Sequence, residues 1–211
     1  VRAVNGVELA IQRGESIGLV GESGSGKTTL GKTLLRLVPS SHGQILFEGQ
    51  DISRLNEQQM RPLRAHMQMI FQDPFESLDP RRTVMQTVME SLIVAQAPGT
   101  NSDHEIAVLA ALTAVGLTPA ETVATRYTHE LSGGQRQRVA IAAAMVVRPA
   151  LLVADEPVSM LDVSLRAGIL RLLRQMTQDG AGCLFITHDL SLAWMFADRI
   201  AVLYLGRIVE E

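Results

Sequence analysis

Ser16-Ile17-Gly18-Leu19-Val20-Gly21-Glu22-Ser23-Gly24-Ser25-Gly26-Lys27-Thr28 decides the fold. Its first five residues form a short apolar run that feeds directly into glycines, and residues 27–38 carry apolar side chains at helical spacing until Pro39 stops them. The stretch therefore reads as strand, loop, helix. In that setting a glycine-rich loop turns consecutive backbone N–H groups inward onto phosphate oxygens, and the helix that follows aims the positive end of its dipole at the same place. Gly21, Gly24 and Gly26 supply the permissive backbone, with Glu22, Ser23 and Ser25 between them. Lys27 is placed to reach terminal phosphates, and Thr28, backed by Thr29, can offer its hydroxyl to a Mg²⁺ shell.

Outward from the loop, strand and helix alternate. Strand-like runs occupy residues 7–11, 44–47, 67–71, 151–154, 183–187 and 200–204, and helical spacing predicts helices over 83–95, 103–115, 133–147 and 164–177. This is the pattern of an α/β protein with a parallel sheet. The helix-rich middle predicts a core made of residues 1–72 and 149–211, with a helical subdomain inserted at about 73–148. A strand-like start without Met and a last strand that stops at Glu211 suggest a longer protein at both ends.

Composition narrows the function. Nineteen Lys+Arg against 22 Asp+Glu leave no basic footprint for a nucleic acid backbone. The longest apolar stretch, 139–154, is broken by Arg148-Pro149 and falls short of the roughly 20 residues that span a bilayer, so membrane contact is expected through a partner. The single cysteine, Cys183, has no intrachain partner, and no signal peptide opens the sequence, as in a reducing cytoplasm. Asp155 ends an apolar strand, where a carboxylate is out of place unless something beyond the strand end, such as Mg²⁺, uses it. Ser132, Gly133 and Gly134 open a predicted helix and form a second anion site in a chain whose first site already takes a triphosphate.

Leu131-Ser132-Gly133-Gly134-Gln135, set between the glycine loop and Leu151-Leu152-Val153-Ala154-Asp155-Glu156, resembles the signature of the ATP-binding cassette (ABC) family. The run Phe71-Gln72-Asp73-Pro74-Phe75-Glu76-Ser77-Leu78-Asp79-Pro80-Arg81 is most similar to ATPases of oligopeptide and dipeptide importers. The resemblance covers nearly every residue. It implies a P-loop NTPase core with a mixed, mainly parallel sheet, and ATP with Mg²⁺ held by Thr28, Gln72 and Asp155. Glu156 is implied as general base, Gln72 as the glutamine that marks the helical lobe, and His188 as the switch histidine at the γ-phosphate.

The same resemblance implies a sandwich, in which residues 131–135 of one subunit cover ATP on the loop of another and Asp162 lies in the loop at the seam. Partners follow from it: a second ABC ATPase subunit, an integral membrane permease and, indirectly, an extracytoplasmic solute-binding protein. The place of work is the cytoplasmic face of the inner or plasma membrane. Phe75 and Leu78 are candidates for apolar contacts with the permease or for packing inside the lobe. Three positions depart from the family pattern: no aromatic precedes Phe47 to stack on adenine, Met160 stands where a smaller residue is usual, and Ala143 replaces a common arginine. The stacking residue is expected in a preceding segment. Alternatives are a cassette ATPase acting on DNA or ribosomes, and a cassette subunit of a phosphonate-cleaving complex.

Overall fold

The computed structural model describes residues 3–73 and 78–211. They divide into two compact units, one of residues 3–69, 150–155 and 177–211, the other of residues 70–73, 78–149 and 156–176.

The first unit is built on β1 (Ser16–Val20), β5 (Leu151–Asp155) and β6 (Gly182–Ile186), each buried along its whole length. Apolar residues on both faces of a strand are what a sheet covered on both sides demands. With β4 (Met67–Ile70), β7 (Arg199–Tyr204) and β8 (Arg207–Glu210) they make a six-stranded sheet in the order β4-β5-β6-β1-β7-β8. The pairs β5/β6, β6/β1 and β1/β7 are parallel, whereas β7 and β8 form an antiparallel hairpin turned by Leu205 and Gly206, both at positive φ. Register places Leu19 opposite Ile186 and Ile186 opposite Asp155. The chain therefore leaves β1, β6 and β5 at one edge of the sheet, the carboxyl edge where ligands of such sheets bind.

Helix α1 (Lys27–Leu34) follows β1, and a small hairpin of β2 (Leu46–Phe47) and β3 (Gln50–Asp51) leads to α2 (Glu57–Arg64). Ile17, Leu19, Leu35, Ile52, Met60, Val153, Leu184 and Ile186 pack in one buried cluster. Cys183 is wholly buried in β6, and burial pushes its thiol up to about 12, which leaves it protonated and inert at neutral pH. Residues 7–11 depart from the expected strand. Val7, Leu9 and Ile11 do turn toward the core while Glu8 and Ala10 face out, but the segment runs extended without joining a described ladder.

The second unit is helical: α3 (Val84–Val94), α4 (Asn101–Ala114), α5 (Ala120–Ala124), α6 (Gly133–Met145) and most of α7 (Val163–Gln178). Three of these helices start the same way. Thr83, Thr100 and Ser132 each accept from the backbone N–H three residues on, while Gln86, Asp103 and Gln135 reach back to the cap. That reciprocal box satisfies N–H groups a helix start otherwise leaves open. A short α8 (Leu190–Phe196), in the first unit, packs the Phe196 ring 4.6 Å from that of Phe185. No described helix is long and apolar enough to cross a membrane.

Candidate functional site

The loop after β1 is shaped by positions where a side chain would not fit. Gly21 sits at φ 152°, where a Cβ would meet the Leu203 carbonyl oxygen at 2.1 Å, and Gly26, at φ 108°, would strike the Ala3 carbonyl oxygen at the same distance. Gly26 is also the residue before α1, and no side chain caps that helix start. Its first N–H groups are thus left to an external acceptor. Lys27 is nearly buried, and its ammonium donates to the Gly21 and Glu22 carbonyl oxygens, both at 2.8 Å. An ammonium has three protons, so one donor remains while two brace the loop.

Ser25 supplies the second sign of a missing acceptor. Its hydroxyl is buried without a hydrogen-bond partner among the described residues, a condition that native interiors rarely tolerate. A phosphate oxygen in the loop would satisfy it together with the open helix start. The residues therefore fit a nucleotide triphosphate. Ser25→Ala is expected to weaken ATP binding by about 10–100-fold, one hydrogen bond to a charged acceptor, while leaving unfolding unchanged because no protein bond is lost. Calorimetric titration beside a melting curve checks both halves.

On the same edge of the sheet, Asp155 ends β5 and is buried, and Thr187 and His188 follow β6. The Thr187 N–H donates to the Leu19 carbonyl at 3.2 Å, and Asp189 caps α8 through the N–H groups of Ser191 and Leu192, which hold the turn on either side of an exposed His188. Thr28 and Thr29 lie half-buried in the first turn of α1.

In the second unit, Glu156 adopts φ 47°, uncommon for a residue with a side chain, and its carbonyl accepts from the N–H and hydroxyl of Ser159. Gln72 is exposed, one residue beyond Phe71. Gly134 lets the Met160 carbonyl come within 3.2 Å of where its Cβ would be, so the start of α6 lies against the segment that carries Asp162. Arg138, on the same helix, donates to the Gly116 carbonyl at 2.6 Å; burial pulls its guanidinium down and the Asp162 charge opposes that. Leu131 is buried ahead of this helix.

Residues 79–84 are stitched to the segment that leads into α6. The Thr128 hydroxyl donates to the Asp79 carbonyl at 2.8 Å, His129 Nδ1 meets the Pro80 carbonyl at 2.7 Å, and the Val84 N–H donates to Arg126. Hydrogen bonds from Arg81 hold the Asp79 carboxyl down at about 2. Leu78 is buried, while Pro74, Phe75, Glu76 and Ser77, and with them the aromatic candidate for a permease contact, lie outside the described residues. No described cluster of acids, histidines and cysteines forms a ready metal cage.

A model of the ABC transporter family matches residues 4–159. The chain belongs to the ABC transporter family. Among curated relatives of this family member, a putative peptide import ATP-binding protein of Brucella ovis is 49% identical over 211 residues, all of this chain and 66% of that protein. The oligopeptide transport ATP-binding protein AppF of Bacillus subtilis is 46% identical over 212 residues and 64% of its length. The glutathione import ATP-binding protein GsiA of Shigella boydii is 48% identical over 33% of its length. The chain thus spans about two thirds, or less, of these relatives.

Solved structures agree on the fold. The dimeric structure of a bacterial ABC transporter cassette superposes with a TM-score of 0.91 at 29% identity, over 99% of this chain and 89% of that one. A dimeric post-hydrolysis state of that cassette, bound to ADP and Pi, gives 0.92. The mixed, mainly parallel sheet with its helices is the fold of these ABC ATPase cassettes, as the glycine loop and the alternation of elements imply.

Gln137 is a buried polar residue that no motif in the sequence marks. In a polar run a glutamine looks solvated, yet it shares a helical face with Ile141 and Ala144, and all three are buried. That spacing was the available signal.

Proposed function

We propose that this chain is the ATP-binding and ATP-hydrolysing motor of an ABC importer that moves peptides or a related small solute. The observation that carries the reading is near-half identity, over the whole chain, to proteins named as peptide and oligopeptide import ATP-binding subunits. Residues 1–72 and 149–211 form the ATP-binding core, and residues 73–148 the lobe that meets an integral membrane permease at the cytoplasmic face of the membrane. An extracytoplasmic solute-binding protein delivers the solute from the other side.

The loop N–H groups, Ser25 and Lys27 hold the phosphates, with Thr28 and Thr29 behind them in the first turn of α1. Thr28, Gln72 and Asp155 are the residues that would hold Mg²⁺, whose chemistry is to neutralise charge between the terminal phosphates. Glu156 takes the proton of a water whose oxygen attacks the γ-phosphorus; the bond to the bridging oxygen breaks and ADP leaves with its electrons. His188 holds the γ-phosphate and steadies Glu156. Residues 131–135 of a second subunit close over the nucleotide, with Asp162 at the seam.

Action on DNA, on ribosomes or in phosphonate cleavage is not favoured, since the relatives named above are import subunits. The test is uptake. The full-length protein, reconstituted with its permease in vesicles, accumulates labelled peptide only with ATP. Hydrolysis without association with any permease would exclude the importer and leave only the ATPase.

A further inference from the structure

One buried amide on the signature helix has no part in the roles above. Gln137 is wholly buried in α6, and its Nε2 donates to two main-chain carbonyls, Phe71 at 3.3 Å and Pro157 at 3.2 Å. They lie far apart in sequence, 66 residues before Gln137 and 20 after it. The Phe71 carbonyl belongs to the peptide group that carries the N–H of Gln72. Pro157 directly follows Glu156, the residue held at φ 47°. A single side chain thus ties down the backbone just before Gln72 and just after Glu156.

The chemistry of the side chain suits this task and little else. A primary amide puts two protons on one neutral nitrogen, enough for two carbonyls; a carboxylate would set oxygen against oxygen, and a lysine or arginine would bury a charge. The other end of the amide is uncompensated: Gln137 Oε1 is buried with no partner among the described residues. An apolar residue of the same size would fill the space without that cost. The two donated bonds are what distinguish glutamine here from filler.

We infer that Gln137 is a positioning residue for hydrolysis, fixing Glu156 and Gln72 to the helix that begins with the Ser132–Gly134 signature. When the nucleotide of a second subunit engages that helix start, the contact is transmitted through one side chain to the glutamate of the same chain. The inference rests on the roles proposed for Glu156, Gln72 and the signature.

The experiment compares Gln137→Leu, Gln137→Glu and Glu156→Gln in the full-length protein, with rates counted per ATP-binding molecule so that unfolded protein does not register. Gln137→Leu is expected to lower kcat by about 10–100-fold, the range for a displaced general base, with the Kd for ATP within about threefold because the phosphate loop is untouched. Gln137→Glu is expected to match it at about pH 8 and to recover about tenfold toward pH 6, where the buried carboxyl becomes neutral and regains one donor. A merely structural glutamine would change the melting temperature and leave both the kcat of folded protein and its pH profile as in the wild type. Full turnover by Glu156→Gln would refute the underlying role of Glu156. An inactive Glu156→Gln beside a folded, ATP-binding Gln137→Leu of wild-type kcat, or a Gln137→Glu with no gain at low pH, overturns the inference about Gln137 alone.

Discussion

Glu156→Gln is expected to lower steady-state ATP hydrolysis by about 100-fold or more, the range for loss of a general base, and to leave nucleotide bound. Glutamine has the size of glutamate but cannot accept the proton of the attacking water. The backbone that presents it is held independently of the carboxylate: Ser159 donates twice to the Glu156 carbonyl and Gln137 to that of Pro157. Geometry therefore survives while chemistry is lost. Phosphate release at saturating Mg-ATP, together with nucleotide retained on a filter, reads the two effects. Wild-type turnover in this variant would remove Glu156 from the reaction.

Lys27→Ala is expected to fail earlier, at binding. The ammonium braces the Gly21 and Glu22 carbonyls and has one proton left, which is expected to meet phosphate. Its removal takes away a charge-assisted bond and leaves two loop carbonyls without their donor. The affinity for ATP is expected to fall by about 10–100-fold, the equivalent of roughly 1.5–3 kcal/mol, with turnover lost. Isothermal titration of both variants separates them, since Glu156→Gln keeps its Kd and Lys27→Ala does not. An affinity within about twofold of wild type would mean that the phosphates lie elsewhere.

The elements around these residues were legible because each carries a strong local signal. β1 and β5 are apolar runs bounded by glycine or proline, and α3, α4 and α6 open on capping boxes written in the sequence as Thr83 with Gln86, Thr100 with Asp103 and Ser132 with Gln135. Helix α2 is hard to read from sequence although Asn56 and Gln59 form the same box, because its residues are mostly polar and Pro62 lies inside it. Residues 7–11 show the opposite failure: alternation reports which side chains face a core, not whether a neighbouring strand supplies hydrogen bonds.

Chemistry divided along a similar line. The loop glycines, Lys27 and Asp155 could be argued from residue type and place. Gln72 and His188 are exposed just beyond strand ends, with nothing local to mark them, and only the family pattern singles them out. Gln137 had no such pattern in view, and its importance lies in two carbonyls that are distant in sequence and adjacent only in the fold.

ATP is proposed to be held between two copies of the site, with the Ser132–Gly134 helix start of one subunit completing the phosphate loop of the other. Sedimentation of full-length Glu156→Gln with and without Mg-ATP tests it most directly, alongside the double variant that adds Ser132→Arg. Expected are a largely monomeric or loosely paired chain without nucleotide, a stable dimer of Glu156→Gln with Mg-ATP, and no such dimer once a bulky arginine occupies the seam. A double variant that dimerises with ATP as readily as Glu156→Gln alone would contradict it.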